Sequence, residues 1–442
     1  MQSYKFSDGF KWGSATSAHQ VEGGNHNDWT EWEQSESRIK NLESRGLDPK
    51  DFISGKACDS YNRYEEDLDI AKSLSQNIHR FSIEWSRIEP EEGKFDFEAM
   101  KHYIGLVKAI RERGMEPMVT LWHFTNPTWF SKLGGFLNDK SSEYFTRYVK
   151  YVVDNLKNDV SLWITFNEGT TVYTGMAYLR GLWPPGYKSL ISALRVRRNI
   201  IKSHTLSYRE IKNTYSSAKS VPPNFGTTTP PTSHKLILQH NMSQNNATLC
   251  NTTVSHNVAV GSVENIKYIV GAKILKWLGM ENIINNQLNF YFWSKTIPYQ
   301  DFLGVNYYRV YRFLGSFSVL SKQDMATEMN WESYPEGIYH VLKLVKKFKK
   351  PIYITENGIA DKTDEKRIKF IKDHLYWIWK ATQDGVDLRG YIYWSLLDNF
   401  EWAYGYVPRF GLAEMDYQTL ERKIRPSAYE YAKICKENTL NI

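Results

Sequence analysis

Two short apolar runs, far apart in the chain, end in the same way. Leu162-Trp163-Ile164-Thr165-Phe166 stops at Asn167-Glu168, and Ile352-Tyr353-Ile354-Thr355 stops at Glu356-Asn357. Apolar runs this short, rich in β-branched and aromatic residues, read as buried strands, and strands buried on both faces belong to parallel sheets. In a parallel α/β barrel the C-terminal strand ends open onto the face that carries chemistry. A carboxylate placed there twice is a candidate catalytic pair. One such run alone reads more simply as a strand followed by a solvated loop glutamate; the pairing, with the neighbours below, favours the catalytic reading.

The rest of the chain alternates strand and helix. Strands are expected at residues 10–16, 78–83, 116–123, 302–308 and 390–394 besides the two above, and helices at 60–74, 97–113, 335–350 and 366–384. Alternation of this kind is the βαβ pattern. The fold class is therefore α/β: a single (β/α)8 TIM barrel spanning residues 1–442 as one catalytic domain, a length that barrels with insertions reach. Residues 234–241 are the best candidate for the fifth strand. They sit inside a Ser/Thr/Asn/Pro-rich stretch, 216–256, that reads as an irregular, atypical insertion. It contains sequons at Asn241, Asn246 and Asn251, which so Asn- and Thr-rich a stretch produces by chance.

Composition narrows the function classes. Aromatic residues make up 15% of the chain, with 15 Trp and 29 Tyr, and flat rings with polar tips suit the apolar faces and hydroxyls of sugars. The net charge of +7 is dispersed. Its densest cluster, Lys346-Lys347-Phe348-Lys349-Lys350, reads as a solvated helix end, and no nucleic-acid motif accompanies it. Cys58, Cys250 and Cys435 lack the spacing of a zinc site or a disulfide framework. No apolar run approaches the ~20 residues of a membrane span. With strand pattern beginning by Phe10 there is no room for a signal peptide, and the expected compartment is the cytoplasm.

Three motifs in order, Ile164-Thr165-Phe166-Asn167-Glu168, Ile354-Thr355-Glu356-Asn357-Gly358, and Asp398-Asn399-Phe400-Glu401-Trp402 after Trp394-Ser395, together resemble glycoside hydrolase family 1, the β-glucosidase and β-galactosidase family. The resemblance covers residues 6–203 and 301–432. It implies a retaining, exo-acting β-glucosidase, extending to β-galactosides and β-fucosides, that acts on small-molecule β-glycosides with no cofactor and no metal. Retention by double displacement needs two carboxyls about 5 Å apart, one ionised and one protonated, so their environments must differ.

By resemblance, Glu356 is the nucleophile and Glu168 the acid that later serves as base. Arg80 would hold Glu356 ionised, and Tyr308, in the run Asn306-Tyr307-Tyr308, would hydrogen-bond it. Asn167 would bond the sugar 2-hydroxyl. Gln20, His123, Asn306, Glu401 and Trp402 would form a polar cradle, Trp394 a stacking platform, and Trp331 an aromatic wall on the leaving-group side.

The chain also departs from the family pattern. Gly169 follows Glu168 where the family has Pro, and the segment looks one residue longer, which predicts a looser backbone behind the acid. Phe124-Thr125-Asn126 follows His123 where Trp then Asp are common, and Tyr404 stands where Glu is common. Two alternatives share the scaffold: a non-catalytic sugar-binding or interaction protein, which usually lacks one carboxylate, and a transglycosylase.

Overall fold

Eight parallel strands close into a barrel: β1 (Lys11–Ala15), β2 (Ile78–Ser82), β3 (Glu116–Thr120), β4 (Leu162–Asn167), β5 (Ala259–Asn265), β6 (Phe302–Asn306), β7 (Ile352–Asn357) and β8 (Leu388–Trp394), each paired with the next and β8 with β1. The computed structural model describes residues 2–219, 258–270, 280, 289–312 and 327–442. Strands β2, β4 and β6 are buried at every residue, as continuous apolar runs require.

Alternate residues divide between two cores. Ile78, Met118, Ile164, Val263, Phe302 and Ile392 fill the barrel. Their neighbours Phe81, Val119, Trp163, Leu303 and Tyr391 face outward into the layer formed with the helices.

Among the described residues each strand is followed, besides shorter helical turns, by a helix: α1 (Ser60–Ser73), α2 (Phe97–Glu112), α3 (Ser141–Leu156), α4 (Leu190–Lys219), α5 (Tyr291–Thr296), α6 (Pro335–Val345), α7 (Arg367–Gln383) and α8 (Pro426–Glu437). Local sequence explains them. In α3 the buried residues Phe145, Tyr148, Val149, Val152, Val153 and Leu156 recur at three- and four-residue steps. Asp96 caps α2 by accepting from the backbone N–H groups of Glu98 and Ala99. Pro335 opens α6 in the first turn, where its missing N–H costs nothing. Among the described residues no helix is long and apolar enough to cross a membrane.

One strand assignment is corrected. The fifth strand is Ala259–Asn265, paired with β4 and β6, and not residues 234–241, which lie outside the described residues. The stretch expected to be irregular from residue 216 opens inside α4, which runs to Lys219. Its remainder, with all three sequons, lies outside the described residues.

Gly358 joins the end of β7 to the end of β8. A Cβ there would fall 1.8 Å from the Trp394 carbonyl oxygen, a backbone atom that cannot swing aside. Overpacking costs about 1–3 kcal/mol at ordinary core sites, occasionally more. Gly358→Ala is therefore expected to lower the thermal unfolding midpoint clearly; an unchanged midpoint would show that the two strand ends are not in this contact.

Candidate active site

The strand ends bring the predicted residues to one rim. Arg80 lies in β2, Asn167 ends β4 with Glu168 just beyond it, Asn306 ends β6, Glu356 lies one residue from the end of β7, and Trp394 ends β8. Backbone pairing sets their spacing: Asn306 is opposite both Glu356 and Asn265, and Asn167 is opposite Val263. Above the rim lies a cavity of about 260 Å³ lined by Gln20, His123, Glu168, Glu356, Trp394 and Glu401, among others. Trp331, Tyr308 and Trp402 line it too. Arg80, Asn167 and Asn306 are essentially fully buried and lie beneath that lining.

A continuous chain of hydrogen bonds joins the two carboxyls. Asn306 Nδ2 donates to Glu168 Oε1 at 2.6 Å and to Asn167 Oδ1 at 3.2 Å. Arg80 Nη2 donates to the same Asn167 oxygen at 2.8 Å, and Arg80 Nη1 to Glu356 Oε1 at 2.5 Å. The guanidinium is itself aimed by Thr120 Oγ1 and the Thr355 carbonyl, at 3.2 and 3.0 Å. The other oxygen of Glu356 accepts from the Tyr308 hydroxyl at 2.7 Å.

These partners treat the two glutamates differently. Glu356 accepts from a buried cation and a phenol. Among the described residues the Glu168 side chain accepts from two amides, those of Asn265 and Asn306. Burial, and next the nearby Glu356 charge, hold its carboxyl well above the usual range, against the weaker pull of the Asn306 and Asn265 amides. One acid of the pair is thus kept protonated while its partner is matched to a cation, the asymmetry that two-carboxyl chemistry requires.

Glu401 is also raised, to about 8, first by burial and then by Glu356, with Gln20 acting in the opposite sense. Gln20 is locked by Ser17, Asn399 and the Phe400 carbonyl, and its Nε2 lies 3.4 Å from Glu401 Oε2. Burial and the Arg80 charge hold His123 well below its ordinary value, so it is neutral. Its Nε2 meets Asn167 Nδ2 at 3.2 Å, and its ring lies nearly parallel to Trp402, 6.0 Å away.

The departures from the family pattern have a structural outcome. Residues Gly169–Leu179 form a π-helix, in which the Tyr173 N–H donates to the Glu168 carbonyl five residues back. The backbone behind the acid is thus wound into a wide helix rather than an open loop. Glu168 sits in the left-handed region at φ 50° and its side chain is pinned by two amides. Phe124 lines the cavity and packs on Trp402 and Trp183. Tyr404, half exposed, stands at the mouth.

Sequence reasoning missed Asn265, whose Nδ2 donates to Glu168 Oε1 at 3.2 Å. It also missed Glu264, a buried carboxyl raised to about 7 chiefly by burial and held by Thr170 and Thr171. The signal was present: Glu264-Asn265 ends β5 with the same carboxylate–amide pairing that marks β4 and β7.

The sequence model of Glycosyl hydrolase family 1 matches residues 2–440. A Beta-glucosidase A of Acetivibrio thermocellus is 32% identical over 99% of this chain and 100% of its own. A solved beta-glycosidase from Pyrococcus horikoshii superposes with a TM-score of 0.82 at 35% identity, over 100% of this chain and 97% of the other. A beta-glucosidase from Thermotoga maritima in complex with a methoxycarbonyl-substituted glucoimidazole gives 0.81 at 29% identity, over 98% and 99%. Matching family model, full-length relatives and a barrel whose rim carries Glu168 and Glu356 agree: the chain is an enzyme of glycosyl hydrolase family 1.

Proposed function

We propose that this enzyme is a retaining, exo-acting β-glucosidase, its whole chain forming one catalytic domain. The observation that carries this reading is the hydrogen-bonded path from Glu168 through Asn306, Asn167 and Arg80 to Glu356, which leaves the cation on Glu356 alone. A relative named Beta-glucosidase A and a neighbour solved with a glucoimidazole support the sugar.

In the first step the Glu356 carboxylate attacks the anomeric carbon. The Glu168 carboxyl gives its proton to the departing glycosidic oxygen, so the aglycone leaves as a neutral alcohol and a glucosyl ester remains on Glu356. In the second step Glu168, now a carboxylate, takes a proton from water, the resulting hydroxide attacks the anomeric carbon, and Glu356 is released. Two inversions restore the β configuration.

Each neighbour has a proposed part. Arg80 and Tyr308 hold Glu356 aimed, one on each oxygen. Asn306 positions Glu168 and Asn167, and Asn167 bonds the sugar 2-hydroxyl, a contact that tightens in the oxocarbenium-like transition state. Gln20, His123, Glu401 and Trp402 bind hydroxyls, Trp394 stacks beneath the ring, and Trp331 faces the leaving group. Glucose and galactose differ in one hydroxyl's orientation, so β-galactosides and β-fucosides fall within the proposed range. Cys58 and Cys435, both buried free thiols, are compatible with a reducing cytoplasm.

The test follows p-nitrophenyl β-glucoside hydrolysis by proton NMR. β-Glucose is expected as the first-formed sugar, equilibrating afterwards to the anomeric mixture; α-glucose appearing first would contradict the double displacement.

A further inference from the structure

Away from the reacting carboxyls, the cavity wall changes sign. Lys267 and Arg309 immediately precede two short parallel strands, Tyr268–Val270 and Val310–Arg312, in which Tyr268 is opposite Val310. That register sets the two cations side by side. Both use the Tyr311 ring, the guanidinium at 4.5 Å from its centroid and the Lys267 ammonium at 5.5 Å, and Arg309 also lies 5.1 Å from the Trp331 ring. Arg309 Nη2 donates to the Tyr311 hydroxyl at 3.2 Å. Exposed Arg180 lines the same cavity, with its Nη1 3.8 Å from the Met176 sulfur. Unlike Arg80, which meets Glu356, none of the three meets a carboxylate among the described residues.

Two like charges held around one ring repel, and the repulsion is relieved when an anion sits between them. A guanidinium lying against aromatic faces has five N–H donors, and with one spent on the Tyr311 hydroxyl others remain for a carboxylate, adding a charge-assisted bond to ring stacking. The cavity therefore has carboxyls at its base and cations on its wall. A substrate that is neutral at the sugar and anionic at the other end is oriented by that gradient, and the reverse orientation is opposed.

We propose that Lys267, Arg309, Tyr311 and Trp331 form a leaving-group subsite for a carboxylate, and that the enzyme takes aryl β-glucosides whose aglycone bears one. This rests on the β-glucosidase reading. The test compares 4-carboxyphenyl β-glucoside with its methyl ester, the ester being the better leaving group, so intrinsic reactivity works against the proposal.

At low ionic strength wild type is expected to favour the carboxylate by about five-fold or more in kcat/KM, the scale of a charge-assisted contact at a partly exposed site. The preference should shrink in about 0.5 M NaCl, where charges this exposed are screened. In the Lys267→Gln/Arg309→Gln variant the ratio should fall to one or below. An ester preference in wild type, or an unchanged ratio in the variant, overturns the subsite. Neutral p-nitrophenyl β-glucoside is measured alongside. Its failure to turn over would count against the β-glucosidase reading, whereas turnover without carboxylate preference counts against the subsite alone.

Discussion

Glu356→Ala is expected to lower kcat/KM for p-nitrophenyl β-glucoside by about ten-thousand-fold or more, the scale on which removal of a nucleophile acts. The loss has two parts. No glucosyl ester can form, and the Arg80 guanidinium, 1% exposed, loses the one carboxylate it touches. Breaking a buried pair by removing one partner costs roughly 3–5 kcal/mol of stability, so the Ala variant alone could lose activity by unfolding. Glu356→Gln separates the two effects. It retains an oxygen to accept from Arg80, and its NH2 can donate to the Tyr308 hydroxyl oxygen that formerly donated to Glu356; as a poor nucleophile it should be as inactive as the Ala variant while its thermal midpoint stays closer to wild type. Substantial turnover by either variant, at wild-type purity, would remove Glu356 from the mechanism.

Glu168→Ala should behave differently, because an acid matters only as much as the leaving group needs a proton. For cellobiose, whose leaving sugar is a poor one, the loss in kcat/KM is expected at about 100- to 10,000-fold, the usual contribution of general acid catalysis. p-Nitrophenolate leaves readily unprotonated, so the loss in kcat/KM there should be much smaller, while slow hydrolysis of the ester lowers kcat and KM together.

The pH profile supplies the second readout. Wild type needs Glu168 protonated, so its activity falls as pH rises through the value to which burial and the Glu356 charge have lifted that carboxyl, above the ordinary carboxylate range. In Glu168→Ala this alkaline limb should vanish from kcat/KM for the nitrophenyl substrate. Equal losses on both substrates, with the alkaline limb intact, would assign the proton to another group.

Where the sequence was informative, the reason is physical. Strands β4 and β7 are apolar on both faces because barrel side chains fill one side and helices cover the other, so they stand out as unbroken runs. Strand β5 meets the same demand with different residues. Gly261 is required because a Cβ would fall 2.7 Å from the Phe302 carbonyl, and Ser262 is spent on Trp293 and Gln300. Neither residue looks like a buried strand, whereas Leu236-Ile237-Leu238 within 234–241 does. Asn265 was lost with the strand that carries it.

The aim of Glu168 was likewise hidden. Gly169 suggested slack, but the side chain is held by amides 97 and 138 residues away in the chain, and the backbone behind it is wound into a π-helix. The cations on the cavity wall, Lys267 and Arg309, carry no motif at all; only the pairing of two three-residue strands brings them together.

The central claim is that Glu356 carries the sugar between two chemical steps, and trapping that intermediate tests it most directly. A 2-deoxy-2-fluoro-β-glucosyl fluoride keeps a good leaving group but destabilises both transition states, so ester formation proceeds while its hydrolysis stalls. Intact wild-type protein is expected to gain the mass of one fluoroglucosyl group, and peptide mapping to place it on Glu356. A protein that hydrolyses β-glucosides yet gains no mass, or carries the label on another residue, would contradict the account.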